Sequence, residues 1–366
     1  MEYVQERITT LHDLGDATPG GAVDRAAVVV PMTEREYAGL AAERVLTSLE
    51  RVAPGRVVVP LRASRDRVGA FADWLDGYDL PLTVVWCDGP RVERLLAEAG
   101  LDGDRGKGRD VWLALGAALS GTEEYVVFHD ADTKTYGPTY VHRLLFPLEH
   151  GHAFSKGYYA RVENRRLYGR LFRLFYAPLV RALSTEHDAP VLDYLAAFRY
   201  ALAGEFAATR DLASKLRMQR SWGLEVGTLG DAFAHAGFAG TAQVDLGAYE
   251  HDHRAVSGPT GLSDMSRLVG QALFTVVEEH GLTPDYETLP GRYRETAREF
   301  VRAYQLDAAF NGLDYPVDEE RSQADRYAES VAPPGGDTRL PAWADAPVDP
   351  AAVCDRAAAD LREVDR

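Results

Sequence analysis

The 366-residue sequence predicts an α/β fold: a mostly parallel, doubly wound sheet flanked by helices, with a helical extension beyond it. Three observations predict it. Apolar runs rich in valine alternate with single amphipathic helical patterns through residue 128. The last of these runs, Tyr125-Val126-Val127-Phe128-His129, leads directly into Asp130-Ala131-Asp132. Beyond residue 263 the periodicity becomes helical.

Taken in order, residues 1–25 are polar and irregular and read as a lead-in helix or arm. Ala26-Ala27-Val28-Val29-Val30 is the first buried strand, and Pro31 closes it. Thr33 is placed to cap a helical pattern carrying Leu40, Val45, Leu46 and Leu49. Arg56 to Pro60 is a second strand, followed by a helix through Val68, Phe71 and Trp74. Leu82 to Cys87 is a third, followed by a helix through Val92, Leu95 and Leu96. Gly103 to Asp110 reads as a glycine-flanked loop around Lys107, and a helix from Asp110 to Leu119 feeds the Tyr125 strand.

Residues 26–150 thus form a nucleotide-binding half, although Gly-x-Gly-x-x-Gly is absent after the first strand, which disfavours a dinucleotide enzyme. Residues 151–262 complete the domain. They comprise a strand from Ala153 to Tyr159, an arginine-rich helical stretch, a turn into a helix over Ala203 to Arg210, a helix opening at Trp222 to Gly227, and a late strand from Ala242 to Tyr249. Residues 263–330 are a helical extension. Residues 331–366 read as a Pro/Gly/Asp-rich linker with a terminal helix.

Composition narrows the function. A net charge of −16 argues against unspecific nucleic-acid binding. No stretch approaches the ~18 apolar residues of a membrane helix. The first residues lack a signal-peptide pattern, and Cys87 and Cys354 have no metal-site spacing, so a cytoplasmic, reducing setting is expected. Lysine occurs only at positions 107, 134, 156 and 215 among 40 basic residues. An acidic, lysine-poor surface is the composition of proteins working in high salt, where screening relieves self-repulsion.

The chemistry gathers at the Tyr125 strand. At the carboxyl end of such a strand an open α/β sheet forms its ligand crevice. Alternation along an extended chain points Asp130 and Asp132 to one side. Two hard oxygen donors there suit a divalent cation that also holds phosphates, and a polar strand end before a turn explains the motif equally well. Six arginines between Arg161 and Arg181 face a single acid, Glu163, which favours an anionic substrate. Most fit the solvated face of a helix that buries Leu167, Leu171, Leu174 and Phe175. Arg170, beside Gly169, is the one expected to bind substrate. Glu250-His251-Asp252-His253 ends the late strand with two potential ligands.

Several separated segments, in the same order, resemble one family. They are Gly106-Lys107-Gly108, Val126 to Asp132, Gly169-Arg170, Gly204 to Arg210, Gly223 to Gly227, and Gln243 to Gly247 leading to His251. Together they resemble the retaining, GT-A-fold glucosyl-3-phosphoglycerate and mannosyl-3-phosphoglycerate synthases over roughly residues 26–310. The resemblance implies a hexosyltransferase that takes glucose or mannose from a UDP- or GDP-hexose, with Mg²⁺ or Mn²⁺, to a small anionic acceptor such as 3-phosphoglycerate. It implies that Asp130 holds the ribose, and that Asp132 and His251 hold the cation. Lys107, Pro31 and Glu34 would bind the nucleotide. Leu202 and Gly204 would line the sugar pocket, and Glu225 would act at the sugar with Asp132 beside the diphosphate. Gly169, Arg170 and His253 would meet the acceptor. A homodimer is the assembly it suggests.

The sequence also departs from the family. Gly169-Arg170 is followed by Leu171-Phe172 where the family carries Val-Thr. Tyr249 stands in place of an arginine, and His253 in place of an asparagine. A different acceptor, such as a glycan or lipid precursor, and a non-catalytic nucleotide-sugar binder therefore stay open. A nucleotidyltransferase is disfavoured, because no Gly/Arg-rich loop follows the first strand.

Overall fold

The computed structural model describes residues 5–252 and 259–364. Eleven strands occur among them: β1 (Thr9–Leu11), β2 (Ala26–Val29), β3 (Met32–Thr33), β4 (Arg56–Arg62), β5 (Leu82–Trp86), β6 (Tyr125–Phe128), β7 (Phe154–Ala160), β8 (Val162–Glu163), β9 (Arg166–Leu167), β10 (Phe206–Thr209) and β11 (Thr241–Ala248). The first helices are α1 (Leu40–Val52), α2 (Arg65–Leu75), α3 (Pro90–Glu98), α4 (Lys107–Leu119) and α5 (Thr139–Glu149). Next come α6 (Ala177–Ser184), α7 (Pro190–Ala196), α8 (Arg210–Lys215) and α9 (Leu224–His235). The extension carries α10 (Pro259–Glu279), α11 (Leu289–Phe310), α12 (Val317–Tyr327) and α13 (Pro350–Val364).

One large sheet runs in the order β1-β11-β7-β10-β6-β2-β4-β3, with β5 paired to β4. Only β10 runs antiparallel to its neighbours, β6 and β7. The remaining pairings in this sheet are parallel. Side-chain parity explains why the central strands read as unbroken apolar runs. Val28, Val30, Val57, Val59 and Val127 face α1, α2 and α5, whereas Ala27, Val29, Val58, Val126 and Phe128 face α4 and the later helices. Both faces are buried, so each residue must be apolar whichever way it points. After β2 the chain steps out to β4 and β5, then returns to β6 on the other side of β2. That reversal opens a crevice at the carboxyl ends of β2 and β6, between Pro31 and Asp130.

Four local expectations are corrected. Residues 1–25 are not simply an arm, since Thr9–Leu11 pairs in parallel with β11 and completes one edge of the sheet. Ala203 to Arg210 is not a turn into a helix alone. Phe206–Thr209 is a strand inserted between β6 and β7, with Phe206 stacked on Phe128 at 4.2 Å. Lys107 lies in the first turn of α4 rather than on a free loop. The strand pairing of β6 stops at Phe128, so alternation does not extend to the two aspartates.

The fifth correction concerns residues 331–350, which are packed rather than a linker. Leu340 pairs with Met218 by two backbone hydrogen bonds. Trp343 stacks on Trp112 of α4, with ring centroids 4.0 Å apart. The two indoles also exchange hydrogen bonds with backbone: Trp343 Nε1 donates to Trp112 O at 2.8 Å, and Trp112 Nε1 to Pro341 O at 2.7 Å. Gly116 makes room for this, because a Cβ there would lie 2.2 Å from the Trp343 ring. Farther on, buried Asp360 of α13 accepts from the backbone N–H groups of Arg91 and Val92, capping α3, whose own N-cap is Gly89. A carboxylate at a helix amino end satisfies free donors and opposes the helix dipole. Replacing Trp343 by alanine leaves a cavity against α4 and is expected to cost about 3–5 kcal/mol. Chemical denaturation checks this, and an unchanged midpoint would show that the segment does not support α4.

Candidate active site

The crevice wall is built where two helix starts meet. Gly106 and Gly108 bring the first turn of α4 against the backbone of Gln219 and Arg220, and Arg109 N donates to Arg220 O at 3.1 Å. A Cβ on Gly108 would lie 1.6 Å from Gln219 O. Just beyond, Gly223 takes φ +93° as the N-cap of α9, a conformation that glycine alone adopts freely. Lys107 and Glu225 therefore enter the crevice from adjoining helix starts, and Asp130 comes from the end of β6.

Lys107 Nζ donates to Asp130 Oδ1 at 2.5 Å and lies 3.9 Å from Glu225 Oε1. Burial works against the ammonium, but Asp130 and Glu225 outweigh it and raise the Lys107 pKa. Burial also opposes the Asp130 carboxylate, and Lys107 overcomes it, holding that group below the usual range. Pro31, Val111, Phe128, His129, Gly204, Phe206 and Leu224 complete the lining. Gly204 is required by crowding, since a Cβ would sit 2.4 Å from Asp130 Oδ2. Leu202 is half-buried against the core and is not among the lining residues.

Asp132 stands apart from Asp130. His251 Nδ1 lies 3.2 Å from Asp132 Oδ1. The two segments are zipped by backbone: Lys134 N donates to Glu250 O at 2.8 Å, and Asp252 N to Asp132 O at 2.7 Å. Among the described residues no group of three or more metal-ligating side chains occurs. One carboxylate and one imidazole nonetheless fit a Mg²⁺ or Mn²⁺ ion whose other positions go to substrate phosphates and water. His253, the remaining candidate ligand, lies outside the described residues.

Glu34 sits on the turn after β3, where its Oε1 accepts from Ser64 N at 2.5 Å. The Ser64 side chain first, and that backbone hydrogen bond second, hold its carboxyl below the usual range. A second cleft opens beside it, lined by Ser64, Arg65, Trp86, Asp88 and Arg105. Gly169 adopts φ +78° just before the helix that starts at Arg170. The Arg170 guanidinium is turned to α12, with Nε donating to Glu320 at 2.5 Å and Nη2 to Glu319 at 3.3 Å. Arg173 reaches the same Glu320 and is buried, so it is not the solvated arginine that the helical pattern suggests.

A buried polar cluster that none of the sequence motifs indicates lies beneath the crevice. Glu205 is fully buried, and burial together with Asp130 raises its pKa, while its hydrogen bond from Tyr249 works the other way. The Tyr249 hydroxyl donates to Glu205 Oε1 at 2.5 Å and lies 2.7 Å from the Thr133 hydroxyl. Tyr249 is itself stacked on Tyr159 at 3.7 Å. Lys156 is also buried, donating to Ala203 O at 2.5 Å. The available signal was a charged residue inside an otherwise apolar strand pattern, at Lys156 and again next to Phe206.

Relatives decide the family. The chain is 36% identical to glucosyl-3-phosphoglycerate synthase of Methanococcoides burtonii over 93% of its own length and 90% of the relative's. The chain belongs to the glucosyl-3-phosphoglycerate synthase family. The synthase of Persephonella marina is 35% identical, over 83% of this chain and 77% of that one. The solved structure of the Mycobacterium tuberculosis glucosyl-3-phosphoglycerate synthase, in complex with Mn²⁺, UDP-glucose and phosphoglyceric acid, superimposes with a TM-score of 0.56 at 26% identity. That match covers 76% of this chain and 89% of the other. No protein-family model matches the chain. The fold of this family member is accordingly GT-A, as the ordered motifs implied.

Burial lowers the Lys156 pKa to about 8 from 10.5, with Glu225 and Glu205 working in the opposite direction. Between those two values the unfolded chain holds more protons than the folded one, so Lys156 makes stability rise with pH from about 8 to 10.5. Below that window its penalty is constant. The difference between wild-type and Lys156→Met stability profiles should show this rise, and parallel profiles would show that the fold does not lower the Lys156 pKa.

Proposed function

We propose that this chain transfers glucose from UDP-glucose to the hydroxyl of a small anionic acceptor, 3-phosphoglycerate first among them, with retention at the anomeric carbon. The observation that carries the reading is the convergence of Lys107, Asp130 and Glu225 at the topological switch, with Asp132 and His251 alongside, in a member of this family. The nucleoside end of the donor is assigned to the cleft beside Ser64 and Glu34, and Asp130 to its ribose. Asp132 and His251 would hold Mg²⁺ or Mn²⁺, which offsets charge on the departing diphosphate, so no side-chain acid is needed there.

Lys107 has two roles in this reading. It keeps Asp130 ionised inside a half-buried crevice, and it places a positive charge beside the donor's phosphates. Glu225 offers a fixed carboxylate as positive charge develops at the anomeric carbon. Gly204 keeps the sugar's approach open next to Asp130. The acceptor hydroxyl attacks the face from which the diphosphate departs and gives its proton to a departing phosphate oxygen. Two unpaired cysteines, one of them buried, suit a cytoplasmic enzyme.

One observation favours a second acceptor as well. Arg170, the arginine matched to the family's phosphate contact, is paired with Glu319 and Glu320, and Phe172 replaces a hydroxyl-bearing residue. A panel of phosphorylated and carboxylated acceptors, read by mass spectrometry with UDP-glucose and Mn²⁺, separates the readings. Asp132→Ala should weaken Mn²⁺ binding and lower kcat/KM about 100-fold or more. Unchanged Mn²⁺ affinity in that variant would remove Asp132 from the cation site.

A further inference from the structure

We infer that Arg161 anchors the acceptor's anionic group, a carboxylate or phosphate, at the carboxyl edge of β7. This rests on the transferase reading above and names a side chain that recognises its second substrate. Position is the first argument. Parallel strands β7 and β11 are in register at Ala160 and Ala248, and Tyr249 N donates to Ala160 O at 3.3 Å. Arg161 and the Tyr249–His251 segment therefore leave the sheet side by side, on the edge where Asp130 and Asp132 also emerge.

The state of the guanidinium is the second argument. Arg161 is half-buried, yet among the described residues its side chain makes a single hydrogen bond, from Nη1 to the Tyr200 hydroxyl at 3.3 Å. Its Nε is buried and has no hydrogen-bond partner among the described residues. No carboxylate lies within ion-pair distance of it among the described residues. Glu163, two residues on, instead accepts from the backbone N–H of His251 at 3.2 Å. A half-buried guanidinium that, among the described residues, hydrogen-bonds to one neutral phenol is incompletely compensated, and a planar anion supplies what is missing.

The surroundings are rigid and selective. Tyr200 packs between Tyr159 and Phe172, each ring 5.0 Å away, and its hydroxyl lies 3.1 Å from where a Cβ on Gly169 would be. The Gly169 turn and Arg161 consequently share one wall. Arg170 and Arg173, by contrast, are already neutralised by Glu319 and Glu320. Arg161 follows the carboxyl end of β7 and carries no such partner among the described residues.

The test uses the full chain with UDP and Mn²⁺ present. Calorimetry measures 3-phosphoglycerate binding, and steady-state kinetics varies donor and acceptor separately. Arg161→Gln should raise the acceptor Kd and KM about 10- to 100-fold, with UDP affinity and donor KM unchanged. Arg161→Lys should recover part of the loss, because charge is restored without the planar fork. Wild-type acceptor affinity in Arg161→Gln overturns the inference. So does an equal loss of UDP and acceptor binding, which would mark the side chain as scaffold. If wild type turns over no 3-phosphoglycerate, the preceding reading fails by itself. Arg161 is then judged on inorganic phosphate binding, where the same loss in Arg161→Gln supports it and unchanged binding refutes it.

Discussion

The close approach of α4 to the Gln219–Arg220 backbone is the constraint on which the site depends. Two glycines one residue apart let a helix start press onto an irregular segment, at a distance that a single methyl group would forbid. From that contact Lys107 is aimed at Asp130, and Glu225 is brought within reach of the same ammonium. The charges then fix one another. A carboxylate at the end of β6 would be costly in a half-buried crevice without its cation, and the ammonium would be equally costly without its acids. The site is thus arranged before any substrate arrives, the condition under which fixed charge helps catalysis most.

A second layer secures the opposite wall. The Asp132–His251 pair sits on two segments zipped by backbone hydrogen bonds, and the side chains of Thr133, Tyr249 and Glu205 hold those segments from below. Stacking on Tyr159 leaves the Tyr249 ring little freedom. Tyrosine at this place therefore has a structural task in this chain, and Arg161, directly after the neighbouring strand, brings a guanidinium to the same edge of the sheet.

What the sequence disclosed follows from which interactions are local. The central strands are apolar on both faces and flanked by regular helices, so β2, β4, β5 and β6 stand out from composition alone. The place of Asp130 and Asp132 was legible because they follow an apolar strand at its carboxyl end, where an open α/β sheet forms its crevice. β10 was not, because Ala207-Ala208-Thr209 has little β character of its own and is held by β6 and β7 on either side. Lys107 looked like part of a loop because its glycines answer to a backbone more than 100 residues away, which no window along the chain contains. The partners of Arg170 and Arg173 on α12 were hidden for the same reason. Pro/Gly-rich residues 331–350 resembled a linker because irregular backbone can pack as tightly as a helix when indoles and backbone carbonyls meet its needs.

The cap that Asp360 provides to α3 crosses 269 positions of the chain. In the order of synthesis, α3 and the sheet beneath it are complete long before their cap exists. Until then the first-turn N–H groups of α3 are left to water, and the indole of Trp112 has no ring to stack on. Closing a loop of this length carries an entropic cost that short-range contacts do not. The amino-terminal part of the sheet and its helices are thus early in sequence yet late in consolidation, and their maturation is coupled to the arrival of a distant segment.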